Sequence, residues 1–500
     1  MIININKYCT PQNASIGVKQ AITDADSGDI ISFDKNEYHF YKDYSEHKVY
    51  HMTNTDSFKT PDKYFAILIE DKENITIDGN GSVFVIHGDM CALSLIRCKN
   101  IVLKNFTIRY NAPTNYEMTV KEKRGNAFIY SLPDGNNFEV RGRDIYFFER
   151  SPFTKKKYYE FRNKPKSYCN VLHNGDDVHR TQVSPVRAVL SMKRISNTEV
   201  RVKYLIPPAL NVGDTITMSN NRCRANSGLF FWECSNIVSE NITVNYMHGF
   251  GWLSQMCENL TFDKISFKPA DGYKVSSFAD CIHVCGCKGY VKINDCFFRD
   301  PHDDGINIHG AFLRLKEMVN EKTAVFEFVH KQQGGYKAFF KGDKVKFYDR
   351  RNLEELKGIY TVADSVDNIN EKTVKLTFEE KLPDMTPKMF VIENITYNPE
   401  VTISNCTFRA IPTRGILCTT DKPSEIFSNR FIALKMPDIY ISCDCRDWYE
   451  SGPCKNMKIY NNTFSQKNPV VFEPLCMLKP VDNVHENIKI YDNKTEVIDE

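Results

Sequence analysis

Lys99-Asn100-Ile101-Val102-Leu103, followed directly by Asn105-Phe106-Thr107-Ile108, is the stretch whose reading decides the fold. A polar turn containing Asn opens it, and short runs of alternating apolar residues follow. The first phrase recurs as Glu73-Asn74-Ile75-Thr76-Ile77, Ser235-Asn236-Ile237-Val238, Glu258-Asn259-Leu260-Thr261-Phe262, Lys455-Asn456-Met457 and Glu486-Asn487-Ile488-Lys489-Ile490. The second returns as Asn241-Ile242-Thr243-Val244, Asn405-Cys406-Thr407-Phe408 and Asn462-Thr463-Phe464. Cysteines accompany four of the turns, at Cys98, Cys234, Cys257 and Cys454. Period-2 strands rich in Ile, Val, Phe and Thr, returning every ~20–30 residues, predict a β-solenoid. One coil cannot bury its apolar face alone, so stacking must supply the core. A β-sandwich with irregular loops competes, but similar side chains recurring in similar order favour the solenoid.

Outward from these coils, Ser15-Ile16-Gly17-Val18-Lys19-Gln20-Ala21-Ile22 has helical apolar spacing, and Gly28-Asp29-Ile30-Ile31-Ser32-Phe33 reads as a strand. A short helix over the open end would cap the stack. The repeat is broken over 111–222 and 319–395 by strand-rich, aromatic segments with shared phrases. Gly213-Asp214-Thr215-Ile216-Thr217-Met218 resembles Gly342-Asp343-Lys344-Val345-Lys346-Phe347, and Thr198–Tyr204 resembles Lys372–Phe378. The predicted architecture is all-β: a right-handed parallel β-helix over 1–110, 223–318 and 396–500, carrying two inserted β-modules.

Composition narrows the function. The chain has 500 residues and a formal charge of +2 without a basic tract, so nucleic acid is not an expected partner. No run of 18 apolar residues exists, which argues against a spanning helix. The 17 cysteines read as reduced, buried small hydrophobes, since neither Cys281/Cys285/Cys287 nor Cys443/Cys445/Cys454 keeps the paired spacing of structural zinc. The start MIININKYCT lacks the regions of a signal peptide, predicting a cytoplasmic protein, or an exported one if the start is trimmed. A homo-oligomer is allowed; nothing in the sequence specifies one.

The densest polar cluster is Arg299-Asp300-Pro301-His302-Asp303-Asp304-Gly305-Ile306-Asn307-Ile308-His309-Gly310. Ile293–Arg299 matches Ile403–Arg409, which carries Asp304 onto Arg414, and Asp280-Cys281-Ile282-His283-Val284 matches Asp304–Ile308. Stacked in this register, Asp280, Asp304 and Arg414 form a column with rungs about 4.8 Å apart, and Asp303 sits beside it. His248-Gly249-Phe250-Gly251-Trp252 falls one rung earlier. Carboxylates one rung apart repel, so at least one pKa rises. Glycoside hydrolysis needs one protonated and one ionised carboxyl, separated in inverting enzymes to admit a water. Asp303 is the expected general acid, and Asp280 with Asp304 the expected base. Arg414, Asn307, His283, His302, His309, His248, Glu473 and, as a stacking platform, Trp252 are the candidate substrate contacts. An Asp-Asp-Gly triplet is ordinarily only a turn, and three carboxylates in register are also able to bind calcium. No metal or cofactor is expected.

These residues resemble glycoside hydrolase family 110, the α-1,3-galactosidases, through Asp280 in Phe278-Ala279-Asp280-Cys281-Ile282-His283 and through His302–Gly310. The resemblance implies a β-helix with two inserted small β-barrels and metal-independent inversion at terminal α-1,3-linked galactose of blood-group B or linear glycans. It implies the same roles for Asp303, Asp280 and Asp304. A polygalacturonase-like hydrolase, a calcium-dependent lyase and a non-catalytic glycan-binding β-helix are the alternatives.

Overall fold

The computed structural model describes residues 1–163, 169–181, 187–219 and 223–496. The repeated Asn residues turn the corners of a parallel β-helix. Asn100, Asn105, Asn236, Asn241, Asn259 and Asn405 have φ between 53° and 60°, the left-handed region that Asn tolerates better than other side chains with a Cβ. Their amides also join the rungs. Asn100 donates to Asn74 at 2.8 Å, Asn236 to Asn100 at 2.8 Å and Asn259 to Asn236 at 2.8 Å. One residue type therefore sets the turn and satisfies its neighbour.

Beyond each corner the strands pair in parallel, in the register the repeat predicts. Ile101 lies beside Ile237, which lies beside Leu260. The inward side chains build one apolar core running from Ile3 to Phe464. Phe298, Phe408, Phe431 and Phe464 stack rung on rung, with ring centroids 4.9, 4.9 and 5.4 Å apart. Thiols fill corners: the Cys98 amide donates to Cys234 Sγ and the Cys257 amide to Cys287 Sγ. The predicted cap forms as the helix Ser15–Asp24, burying Val18, Ala21 and Ile22 on the open end. Gly17 is required there, because a Cβ would lie 2.4 Å from that of Cys9.

The two inserts differ in construction. The first packs a seven-stranded antiparallel sheet and a three-stranded sheet, Asn137–Arg141, Asp144–Arg150 and Lys157–Arg162, around its own core. The second is a closed six-stranded barrel, because Thr323–Glu327 and Phe390–Asn394 both pair with Ile306–Asn320. That last strand begins in the helix, where Ile306 pairs with Ile282, and enters the barrel at Phe312 opposite Glu393. A division at 318/319 thus falls inside one strand, since an apolar run continues across the exchange of partners. The phrases shared by the inserts are strands in both but not equivalent ones. Thr215–Ser219 pairs with the first insert's entry strand Asn115–Arg124, whereas Lys344–Asp349 pairs with the second's exit strand Phe390–Asn394. Among the described residues, no helix is long and apolar enough to cross a membrane.

Candidate active site

The site lies where the strands Trp252–Gln255, Ile282–Cys285, Ile306–Asn320 and Ile416–Cys418 begin. Ile282 pairs with Ile306 and Ile306 with Ile416, so Asp280, Asp304 and Arg414 do occupy one column. Glycines permit the close stacking. A Cβ on Gly251 would lie 1.9 Å from the Asp280 carbonyl oxygen, and one on Gly305 would lie 2.7 Å from that of Gly415. Gly305 is therefore a packing requirement between rungs, beyond any role in a turn.

Arg414 grips both oxygens of Asp304, Nε to Oδ1 at 2.9 Å and Nη2 to Oδ2 at 2.8 Å, and its backbone N–H adds a third donor at 3.1 Å. Three donors on two oxygens are the partners of an ionised carboxylate. Asp280 is buried, and its Oδ2 lies 2.8 Å from His283 Nδ1. Burial, then the charge of Asp304, raises its pKa well above the carboxylate range. Asp303 keeps 28% of its side chain open, while Arg224 Nη2 approaches its Oδ2 at 3.2 Å. Burial, then Asp280 and Asp304, pushes its pKa up to about 8 despite the opposing pull of Arg224 and Arg414. The column thus pairs an ionised carboxylate with carboxyls biased toward holding protons at neutral pH.

One oxygen from each of the three aspartates lies within 4.8 Å of the others, a spacing compatible with a cation. Both guanidinium groups already supply positive charge: Arg414 takes Asp304, and Arg224 takes Asp303. The cavity holds about 150 Å³ and is also lined by His283 and Asn307. Asn307 Oδ1 is buried and unpartnered, ready to accept from a ligand hydroxyl.

Several expected contacts lie elsewhere. Trp252 is fully buried inside the helix, edge-on to Phe231 and Phe262, so it offers no face to a sugar. Indole at an inward strand position follows the core. His248 binds Thr114 Oγ1 at 2.6 Å and His302 binds Thr217 Oγ1 at 3.0 Å. Burial lowers the pKa of His248 to about 4 and that of His302 well below the histidine range. Both rings fasten the first insert to the helix and do not line the cavity. His309 sits behind His283, their Nε2 atoms 2.9 Å apart. Glu473 is exposed and accepts from the Tyr440 hydroxyl at 2.8 Å; it approaches the column only through Tyr440, whose ring lies 5.2 Å from the Arg414 guanidinium.

Five lining residues were not among the sequence candidates: Asn54, Arg224, Phe250, Trp448 and Glu450. Phe250 was within reach of the repeat, because Trp252 pairs with Ile282 and so sets Phe250 over Asp280. The others come from outside the rungs. Glu450 arrives because Ala311 pairs with it, and Arg224 follows the first insert in the short helix Cys223–Ala225. A larger cavity of about 920 Å³ lies between the first insert and the helix, lined by Asp134, Tyr273 and Arg299 among others, away from the column.

A family model described as "GLAA-B beta-barrel domain II" matches residues 323–388, within the closed barrel. Alpha-1,3-galactosidase A of Streptomyces avermitilis is 31% identical over 94% of this chain and 78% of its own length. Alpha-1,3-galactosidase A of Bacteroides thetaiotaomicron is 31% identical over 96% and 84%. Among solved structures, a Yersinia enterocolitica family 28 exopolygalacturonase is similar at a TM-score of 0.31 and 8% identity, over 100% of this chain and 79% of that one.

Proposed function

The chain belongs to glycoside hydrolase family 110, the α-1,3-galactosidases, and we propose that it removes terminal α-1,3-linked galactose from glycans with inversion at the anomeric carbon. The observation that carries this reading is the Asp280/Asp304 column with Asp303 beside it. Asp303, with a pKa near 8, holds a proton at neutral pH and gives it to the glycosidic oxygen as that bond breaks. A water held between Asp280 and Asp304 bonds to the anomeric carbon from the opposite face and loses its proton to the pair. Arg224 then faces the newly ionised Asp303.

The cavity of about 150 Å³ is small, in keeping with a site for one terminal sugar. Asn307 and Phe250 supply a polar and an apolar wall. The reading covers branched Galα1-3(Fucα1-2)Gal, the blood-group B type, and linear Galα1-3Gal. Following both substrates by NMR tests it, with and without chelator. β-Galactose as the first product is expected, with activity unaffected by chelation. A second reading is retention, favoured by aspartate oxygens closer than the ~6.5–9.5 Å usual between inverting carboxyls. α-Galactose as the first product would establish it and remove the joint-base assignment.

A further inference from the structure

Behind the carboxylates, hydrogen-bonded contacts run in series into the protein. Asp280 Oδ2 lies 2.8 Å from His283 Nδ1, His283 Nε2 lies 2.9 Å from His309 Nε2, and His309 Nδ1 lies 2.6 Å from the Gly310 carbonyl oxygen. Glu450 Oε1 stands 3.4 Å from His309 Nε2 and belongs to the cavity wall. Both imidazoles are buried, so bulk water does not supply other partners.

Counting protons along this series leaves two arrangements in which His283 stays neutral; a third, with His283 as the imidazolium, is opposed by its burial. A carbonyl only accepts, so His309 Nδ1 carries a hydrogen. The facing ring nitrogens need one proton between them, and so does the carboxyl–imidazole contact. Asp280, His283 and His309 therefore share three protons. In one arrangement Asp280 is a neutral acid donating to His283, which donates through Nε2 to a neutral His309. In the other, His309 is an imidazolium donating to His283 Nε2, and His283 Nδ1–H donates to an ionised Asp280. Moving two protons, each across one contact, interconverts them. No other bond changes, and no proton enters or leaves.

We infer that Asp280, His283 and His309 form a proton relay in which Asp280 is made an ionised base by placing the positive charge on His309 beside Glu450. The inference rests on the reading of Asp280 as part of the base pair. Asp280 faces Asp303, Asp304, Arg224, Arg414, Glu450 and His283. His309 faces His283 and Glu450. A second carboxylate charge beside Asp304 is opposed by burial and repulsion. A compensating cation two contacts away offsets that opposition without occupying the cavity. His283 suits the middle place: burial and then His309 lower its pKa well below the histidine range, so it carries a single proton in either arrangement.

Ring ¹⁵N spectra of the full-length protein, labelled only at histidine and assigned with His309→Gln, decide the point at neutral pH. The relay gives His309 protonated on both nitrogens and His283 protonated at Nδ1. His309 protonated only at Nδ1, with His283 protonated at Nε2 or at both nitrogens, overturns it. Kinetics provide a second readout. His309→Gln keeps an amide N–H for His283 Nε2 but cannot hold the positive charge, so kcat should fall about 100-fold with KM nearly unchanged and with the acidic limb of the pH profile moved to higher pH. Retained kcat, or a loss with an unmoved pH profile, overturns the relay as well. The spectra require no turnover, so their outcome stands apart from the product-anomer test.

Discussion

Two columns run along this helix in the same register and share the rungs of Phe298 and Phe408. On one face Phe298, Phe408, Phe431 and Phe464 stack inward, with centroids 4.9 to 5.4 Å apart. On the other, Phe250, Asp280, Asp304 and Arg414 stack around a cavity. Repetition suits the phenylalanines, because each ring gains dispersion from the next and loses contact with water. The same repetition opposes carboxylates, whose charges repel across one rung. The polar column holds because Arg414 ends it with a bidentate grip on Asp304, while burial and the charge of Asp304 oppose a second bare charge at Asp280. Identical geometry thus stabilises one face and raises carboxyl pKa values on the other.

Substitutions test that contrast, and Asp303→Asn carries the largest effect. It should lower kcat about 10³-fold while raising thermal stability at neutral and mildly alkaline pH. The sign follows from linkage. The folded pKa of about 8 lies above the unfolded value of ~3.9, so the wild type loses stability as pH rises from about 4 through 8, a loss Asn does not share. Tm measured at pH 4 and pH 8 checks it, with the difference between variants confined to the higher pH. The wild-type acid limits activity in the same range: kcat/KM should decline as pH rises through about 8.

Phe431→Ala breaks the apolar column and should cost about 3–4 kcal/mol of stability with little change in kcat of the folded enzyme. Chemical denaturation and active-site titration separate these quantities. Arg414→Met removes the cation from the polar column. A stability loss of about 2 kcal/mol is expected, together with a loss of kcat, because Asp304 is left with one backbone donor in place of three; chemical denaturation and initial rates check both. Unchanged stability would show that Arg414 does not hold the column together. Thr217→Val, which takes a partner from His302 at the insert, should cost only about 1 kcal/mol and leave kcat intact, as Tm and initial rates will report.

The aspartate trio was legible because rung stacking turns sequence offsets into positions. Asp280 over Asp304 follows from a match between two short phrases. That logic also placed the segment containing Phe250, but side-chain chemistry drew attention to His248 and Trp252 at its ends. Both proved structural, for reasons that periodicity does not encode. Trp252 faces inward with the core residues, and His248 meets Thr114 from the insert. The relay histidines were visible as lining candidates; their order behind Asp280 was not, because ring direction depends on packing. The exchange of strand partners at Phe312 was hidden because the apolar pattern continues unbroken through it.

The chain alone determined the rung order, the Asn corners and the column of Asp280, Asp304 and Arg414, since a stacked repeat is a local period made spatial. Tertiary structure alone decided what closes around that column. Arg224 reaches Asp303 across 79 residues, and Asn54 reaches Glu450 across 396. Such pairs carry no period, because inserts and crossing loops bring them together only after the coils have stacked.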